Sequence, residues 1–384
     1  LGDEEFIQDI GLISTLKVKA SYGIAGNPNS GDFQWRVTYS PGGAYNLPGS
    51  ANPGTAINTP GNPNLKWEQS GQANVGLDIG IIDNRVLASI EYYDIRSIDL
   101  ISSRPISVTS GYTDIIDNIA EIRNNGIELV INSVNVRTGD FRWTSSLNFT
   151  SNTNRVAALA NEADTLIVSD RVVHIQGQPA YQWYMPDYAG VDPATGLPIY
   201  RAEGGGTTFD YSEAVIRVHG TDPGIAPRFY GGFSNTLSFK GFSLTGLLYF
   251  RVGGQVYREL LQQLMLSGSG GGSNQSADEL DRWRQPGDMT SVPRADVNYS
   301  DPGPSSRWLE NASYFQLRNL GISYSLPASI LSGIGMSDLS ISLRGVNVVT
   351  WTSYGGLNVT TGAVEEDDDY PVPRTITVGL NARF

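Results

Sequence analysis

Few residues in this sequence could carry chemistry. There are two histidines, His174 and His219, and no cysteine. Neither histidine has a second His or a carboxylate at ligand spacing, so a His-based metal centre or catalytic triad is not expected; each reads as a loop or strand residue. The missing thiols exclude disulfide frameworks, iron–sulfur clusters, zinc ribbons and thiol nucleophiles together. The run Glu365-Glu366-Asp367-Asp368-Asp369 could offer oxygen ligands to Ca²⁺. Consecutive residues cannot all converge on one ion, however, and the EF-hand spacing with its glycine is lacking. The run therefore reads as a solvated loop, or as charge facing a polar interior. Asp192-Pro193-Ala194-Thr195-Gly196 reads as a turn. SGSGGGS, Ser267 to Ser273, has no P-loop Lys-Ser/Thr pair and is expected to be a flexible external loop. Leu260, Leu261, Leu264 and Met265 fall at helical spacing, which predicts a short packed helix within Val256 to Leu266. Trp35, Tyr39, Tyr45, Tyr181, Trp183, Tyr184 and Tyr188 lie in or near Gly/Asn/Pro-rich connections. They could stack on sugar faces or clasp a peptide, or serve as interfacial girdle and loop packing. No catalytic, cofactor-binding, metal or substrate-binding residue is assigned, and the chain is not expected to be an enzyme.

Composition narrows the elements that hold these residues. The 384 residues carry 26 Lys+Arg against 39 Asp+Glu, a formal net charge of −13. Such a chain repels phosphate backbones, and no concentrated basic patch offsets this, so a nucleic-acid partner is excluded. Gly at 44, Pro at 20 and Tyr at 19 suit strands joined by many turns. Length alone suggests two or three ordinary domains, although a single large β architecture is also allowed. No stretch of about eighteen apolar residues encodes a transmembrane helix. The mean hydropathy of −0.21 does not exclude the membrane, because barrel strands alternate lipid-facing and polar residues and average to a neutral value.

Alternation with period two recurs along the whole chain. Leu16, Val18, Ala20, Tyr22 and Ile24 share one face, with Lys17, Lys19, Ser21 and Gly23 opposite. Ala73 to Ile79 and Val86 to Tyr92 flank an Asp83-Asn84 turn; Ile127 to Ile131 and Phe141 to Phe149 flank Thr138-Gly139-Asp140; Phe229 to Phe239 and Phe242 to Phe250 flank Lys240-Gly241. Leu320 to Leu326, Leu339 to Leu343 and Ile376 to Phe384 complete about ten strands, each able to cross a bilayer if tilted. Tight turns alternate with the long segments Gly26 to Lys66, Ala160 to Ala226 and Glu259 to Arg307. A soluble sandwich or propeller shares repeated strands and turns. Strand length, polar residues on the second face and aromatics at strand ends favour an antiparallel transmembrane β-barrel with long extracellular loops. Phe384 reads as the native end, on a final strand that must pair to close a ring.

Several segments resemble SusC/RagA-type TonB-linked outer-membrane transporters. They are LKVKASYGIAGN (Leu16 to Asn27), NPNLKWEQ (Asn62 to Gln69) with Asn74, Gly76, Asp78 and Arg85, EYYD (Glu91 to Asp94) and NGIEL (Asn125 to Leu129). Gly190-Val191-Asp192 with Thr195 to Pro198, Arg282-Trp283 with Pro286 to Asp288 and Pro293-Arg294, Arg307 to Pro327, and Tyr370 to Phe384 follow in the family's order. The chain departs after Trp351, where Gly355-Gly356-Leu357-Asn358 replaces the usual Gly-x-Asp-Pro-Glu. The resemblance implies a barrel of about twenty-two strands. Residues 1–384 are then the C-terminal part, with plug, TonB box and N-terminal strands expected outside this chain. It further implies import of oligosaccharides or peptides through a Gram-negative, Bacteroidetes-like outer membrane. The implied partners are a SusD-like lipoprotein, TonB, the remaining strands and plug, and outer-membrane lipid and lipopolysaccharide; no cofactor is implied. The rival reading is a soluble, secreted β-rich carbohydrate-binding or adhesive protein, which would be extracted without detergent.

Overall fold

The computed structural model describes residues 11–28, 31–47, 50–159, 164–219, 224–268, 274–298, 303–331, 333, 335–360, 362–366 and 370–384. Ten strands form one antiparallel sheet in which every strand pairs with its neighbour in sequence. They are β1 (Ile13–Asn27), β2 (Glu68–Ile81), β3 (Val86–Pro105), β4 (Asp114–Thr138), β5 (Phe141–Leu159), β6 (Phe229–Phe239), β7 (Phe242–Val252), β8 (Tyr314–Ser325), β9 (Asp338–Thr352) and β10 (Thr375–Arg383). These are the ten alternating segments of the sequence. Tight turns lie on one rim: Lys240 and Gly241, both at positive φ (45° and 85°), make the two-residue turn whose twist matches its hairpin. The described residues of the long connections 28–67, 160–228, 253–313 and 353–374 follow the strand ends on the other rim.

Register shows why the two faces differ. Val18, Leu77, Ile90, Leu129, Phe149, Gly231, Phe250, Phe315 and Trp351 form one continuous cross-strand row. Val18, Ile90, Phe315 and Trp351 in this row are exposed. Near the turns, Phe141, Phe239, Phe242 and Tyr324 form an aromatic row on the same face, and Tyr92 and Phe229 stand near its other end. Phe229 and Phe239, at about 3.3 Å per residue and a tilt of about 40°, are about 25 Å apart along the barrel axis, the height of a lipid-facing band. One residue out of step, the opposite face carries Lys19, Glu91, Glu128, Thr150, Tyr230 and Arg251. Lys19 pairs with Asp78 at 2.9 Å on this polar side. An apolar band left exposed in this way is stable in hydrocarbon and unstable in water, which disfavours the soluble alternative.

Sequence motifs meet across this sheet. Tyr93 of EYYD lies opposite Gly126 of NGIEL, where any Cβ would strike its ring, and its hydroxyl donates to Asn152 Oδ1 at 2.8 Å. Asn62 of NPNLKWEQ is buried and donates to the Ile116 carbonyl and to Asp117 Oδ1, each at 3.0 Å. The Lys66 amide donates to Asn118 Oδ1 at 2.8 Å. The strap before β2 is thereby tied to the top of β4.

The main apolar core lies among the loops. Trp183, Met185, Tyr257, Met265, Val292 and Trp308 form one buried cluster. Around it are three small sheets: Thr165–Ile167, Val172–Ile175, Gln182–Pro186 and Ile216–His219; Tyr188–Val191, Pro198–Arg201 and Thr207–Thr208; and Gln255–Arg258, Leu309–Asn311 and Val364–Glu365. The predicted helix is shorter than its apolar spacing suggested. Glu259–Leu264 is helical, whereas Gln255–Arg258 is a strand because it pairs with two distant segments. Among the described residues no helix is long and apolar enough to cross a membrane.

Candidate functional site

Where β5 leaves the polar face of the sheet, Asn152 and Asn154 form the floor of a cavity of about 540 Å³. Its walls come from three long loops, including Arg171, Tyr181, Trp183 and Glu259. Arg171 and Glu259 face each other bidentately, at 2.8 and 3.2 Å, and the guanidinium lies 4.6 Å from the Tyr257 ring centroid. Their hydrogen bonds hold the Arg171 pKa up and the Glu259 carboxyl below its ordinary range. Asn154 Oδ1 accepts from the Ala180 amide at 2.9 Å, which fixes the chain just before Tyr181.

Tyr181 is half exposed and has a φ of 60°, a left-handed conformation that costs a side-chain-bearing residue about 1–2 kcal/mol. Its ring packs edge-on against His174 at 4.6 Å. His174 is buried with neither ring nitrogen partnered among the described residues, and burial pushes its pKa below the ordinary 6.5. Trp183 is 1% exposed and its Nε1 has no acceptor among the described residues. The cavity thus presents the Tyr181 ring and the Asn152 and Asn154 amides beside an ion pair, which suits non-covalent binding of a polar, partly apolar ligand. Among the described residues no group of three or more His, Cys, Asp or Glu could hold a metal ion.

The loop aromatics divide into two groups. Trp35, Tyr39 and Tyr181 are exposed, while Trp183 is core, and Tyr188 lies under Arg307 and edge-on to Tyr200. The side chain of Tyr45 lies outside the described residues, as do Asp367 to Asp369 of the acidic run and residues 269–273 of the Gly/Ser stretch. What is described of these two segments is anchored. Glu365 is 1% exposed, pairs with Arg258 at 3.3 Å and accepts from the Leu357 amide at 2.6 Å. The divergent Gly355-Gly356-Leu357-Asn358 loop therefore wraps a buried carboxylate. Ser267 is fully buried, with its amide donating to Glu279 Oε1 at 2.9 Å.

His219 is a strand residue, the last of Ile216–His219. Its Nε2 donates to the Met185 carbonyl at 2.8 Å, and Nδ1 is 4.0 Å from Asp187, a carboxylate with no spacing cue in the sequence. Asp187 also pairs with Arg217 and with Arg201 at 3.6 Å. The Arg171–Glu259 pair is not legible in the sequence because its members come from different loops, 88 positions apart, and Asp187 is not because only the folding of its own loop brings Arg201, Arg217 and His219 to it.

Two family segments close on each other above this region. Trp283 Nε1 donates to the Pro193 carbonyl at 2.9 Å, the Gly287 amide to the same carbonyl at 2.8 Å, and the Arg294 amide to the Gly196 carbonyl at 2.9 Å. The Asp192-to-Gly196 turn is present, with Asp192 Oδ2 accepting from the Thr195 amide at 3.0 Å.

A ten-strand antiparallel sheet, apolar outside and polar inside, with tight turns on one rim and packed loops on the other, is the wall of an outer-membrane-type β-barrel. The chain belongs to the TonB dependent receptor-like, beta-barrel family, whose profile matches residues 9–348. It is similar to TonB-dependent receptor P3 of Formosa agariphila, with 32% identity over 100% of this chain and 41% of the relative. TonB-dependent receptor SusC of Bacteroides thetaiotaomicron is 25% identical over 100% of this chain and 39% of its own. The structure of the RagAB peptide transporter matches with a TM-score of 0.85 and 27% identity, over 99% of this chain and 42% of that one. The SusC/RagA resemblance therefore holds along the chain, which spans about two fifths of the length of these relatives.

Proposed function

We propose that residues 1–384 are the C-terminal barrel part of a TonB-dependent transporter that imports oligosaccharides or peptides across a Gram-negative, Bacteroidetes-like outer membrane. The plug, TonB box and remaining strands lie outside this stretch, and a SusD-like lipoprotein closes over the long loops. The reading is carried by the Tyr181 cavity, a binding surface built jointly by the polar barrel wall and three external loops. The chain's likeness to a peptide transporter supports a peptide as one of these cargo classes. Transport would follow from differential binding: cargo held against the loops in a lid-closed state is released when TonB displaces the plug.

The test is uptake of labelled peptides and oligosaccharides by cells expressing the complete receptor with the lipoprotein encoded beside it. Tyr181→Ala, which removes the aromatic face, is expected to lower uptake of one cargo class about tenfold, the effect of losing about 1.4 kcal/mol of binding. Unchanged uptake of both classes after deletion of the whole gene would overturn the import reading.

A further inference from the structure

A hollow of about 960 Å³, larger than the cavity at the lumen mouth, lies on the opposite, lipid-facing side of β1 to β5. Its position follows from register. The last apolar row on this face runs through Ala20, Val75, Tyr92 and Ile127. Two outward-facing rows further toward the loops, Ile24, Gly71, Arg96, Arg123 and Arg155 stand side by side. Arg96 and Arg123 are thus four residues beyond Tyr92 and Ile127, or about 10 Å higher along the barrel axis, at the level of lipid headgroups.

Like charges directly opposed on neighbouring strands are destabilising. Here three arginines occupy adjacent strands of one row. Glu121 accepts from Arg96 Nε at 2.5 Å and Nη2 at 2.9 Å, and Asp94 accepts from Arg123 in the same bidentate way. The side chains of Glu121 and Asp94 are 19% and 26% exposed, against 65% and 54% for Arg96 and Arg123. The carboxylates therefore lie beneath and the guanidiniums are displayed. Each guanidinium has five N–H donors, and two are engaged by its carboxylate. Arg155 donates to the Gly177 carbonyl at 2.9 Å. Exposed Ile24 forms an apolar wall and buried Ile119 an apolar floor.

We infer that this hollow seats the phosphate-bearing headgroup of an outer-leaflet lipid, with Arg96 and Arg123 as the anion-binding residues. Planar guanidiniums bind phosphate oxygens through paired, charge-assisted hydrogen bonds, and the N–H donors that the carboxylates leave over are those a phosphate between the two arginines would engage. The neighbouring apolar surface suits the lipid's hydrocarbon side. The inference rests on the reading of this face as lipid-exposed.

The complete receptor, reconstituted in phosphatidylcholine nanodiscs with and without a lipid bearing a phosphomonoester, provides the test. Retained lipid is read by native mass spectrometry, and insertion is checked separately by heat-modifiable gel mobility. The wild type is expected to retain the phosphomonoester lipid over phosphatidylcholine, and Arg96→Gln/Arg123→Gln to lose that preference about tenfold. Arg96→Lys/Arg123→Lys should keep part of it. Asp94→Asn/Glu121→Gln, which frees donors, should keep all of it. Equal retention by inserted wild type and the Gln variant overturns the lipid site. So does displacement of the lipid by equimolar inorganic phosphate, which would indicate a free-anion site, or cross-linking of a protein to position 123 in cells. A wild type that fails to insert would instead count against the membrane reading itself.

Discussion

His174 is a buried base without a hydrogen-bond partner among the described residues, and burial lowers its pKa. The folded chain keeps the ring neutral below 6.5, whereas the unfolded chain takes up a proton at that pH. The stabilising contribution is therefore fully present above pH 6.5 and is lost as pH falls from there toward the depressed folded value. His219 shifts the same way: burial outweighs the opposing effects of the Met185 carbonyl and Asp187. Both lie in one loop sheet beside Tyr181. Limited proteolysis within 165–219 is expected to accelerate on acidification from neutrality to about pH 5.5, and His174→Phe, which keeps the edge-on contact and cannot charge, should flatten that profile. An unchanged profile in this variant would show that His174 contributes nothing to the acid response.

The loop segments 190–198 and 282–294 behave as one element held by three backbone or indole hydrogen bonds. Gly196 has a φ of 72°, and a Cβ there would lie 2.5 Å from the Trp283 ring. Gly196→Ala therefore combines left-handed strain with a collision, whereas in a Trp283→Ala background only the strain remains. A double-mutant cycle, read by hydrogen exchange of the two loops, should give a coupling of about 1 kcal/mol or more; additivity would mean that the loops are independent. This element was only partly legible in the sequence. The ten membrane strands were, because a half-exposed strand must alternate to keep one face in lipid. Where β3 and β4 rise past Tyr92 and Ile127, the outward face becomes charged with Asp94, Arg96, Glu121 and Arg123, so the strands continue to Pro105 and from Asp114 without an apolar pattern to announce them. Apart from the hairpin of Thr38–Leu47 and Ser50–Thr59, the loop strands are two to five residues long, too short for periodicity, and several pair with segments far away in sequence. Gln255–Arg258 illustrates this, since helical apolar spacing yields to pairing with Leu309–Asn311 and Val364–Glu365. Of the cavity's residues the sequence singles out Tyr181, Trp183 and Glu366, because aromatic and acidic residues in a loop are visible singly, whereas an Arg171–Glu259 pair exists only after folding.

At the scale of the whole molecule, the sheet separates two solvents by a shift of one residue. Asn148 and Phe149 are neighbours on β5, yet Phe149 belongs to the apolar row that crosses nine strands and Asn148 faces Val130 and Gly232 on the polar side. An arginine in place of Phe149 would enter hydrocarbon about 5 Å inside the loop-side edge of the band, at a cost of about 1–2 kcal/mol; one in place of Asn148 would enter the polar interior and stay hydrated. The two variants share composition, strand and depth, so any difference between them reports the face alone. In the complete receptor, Phe149→Arg is expected to lower the amount of heat-modifiable protein in the outer-membrane fraction several-fold, and Asn148→Arg to leave it near the wild-type level. The reverse order would place Asn148 in lipid and invert the sheet, and equal tolerance of both would indicate that neither face meets hydrocarbon. The same logic applies to the sheet's lateral ends. One edge each of β1 and β10 carries no partner strand among the described residues, and an open edge leaves backbone donors and acceptors unpaired where no water can reach them. Closure by further strands, as proposed for the complete receptor, satisfies those groups, and it is in that closed context that the contrast between positions 148 and 149 should appear.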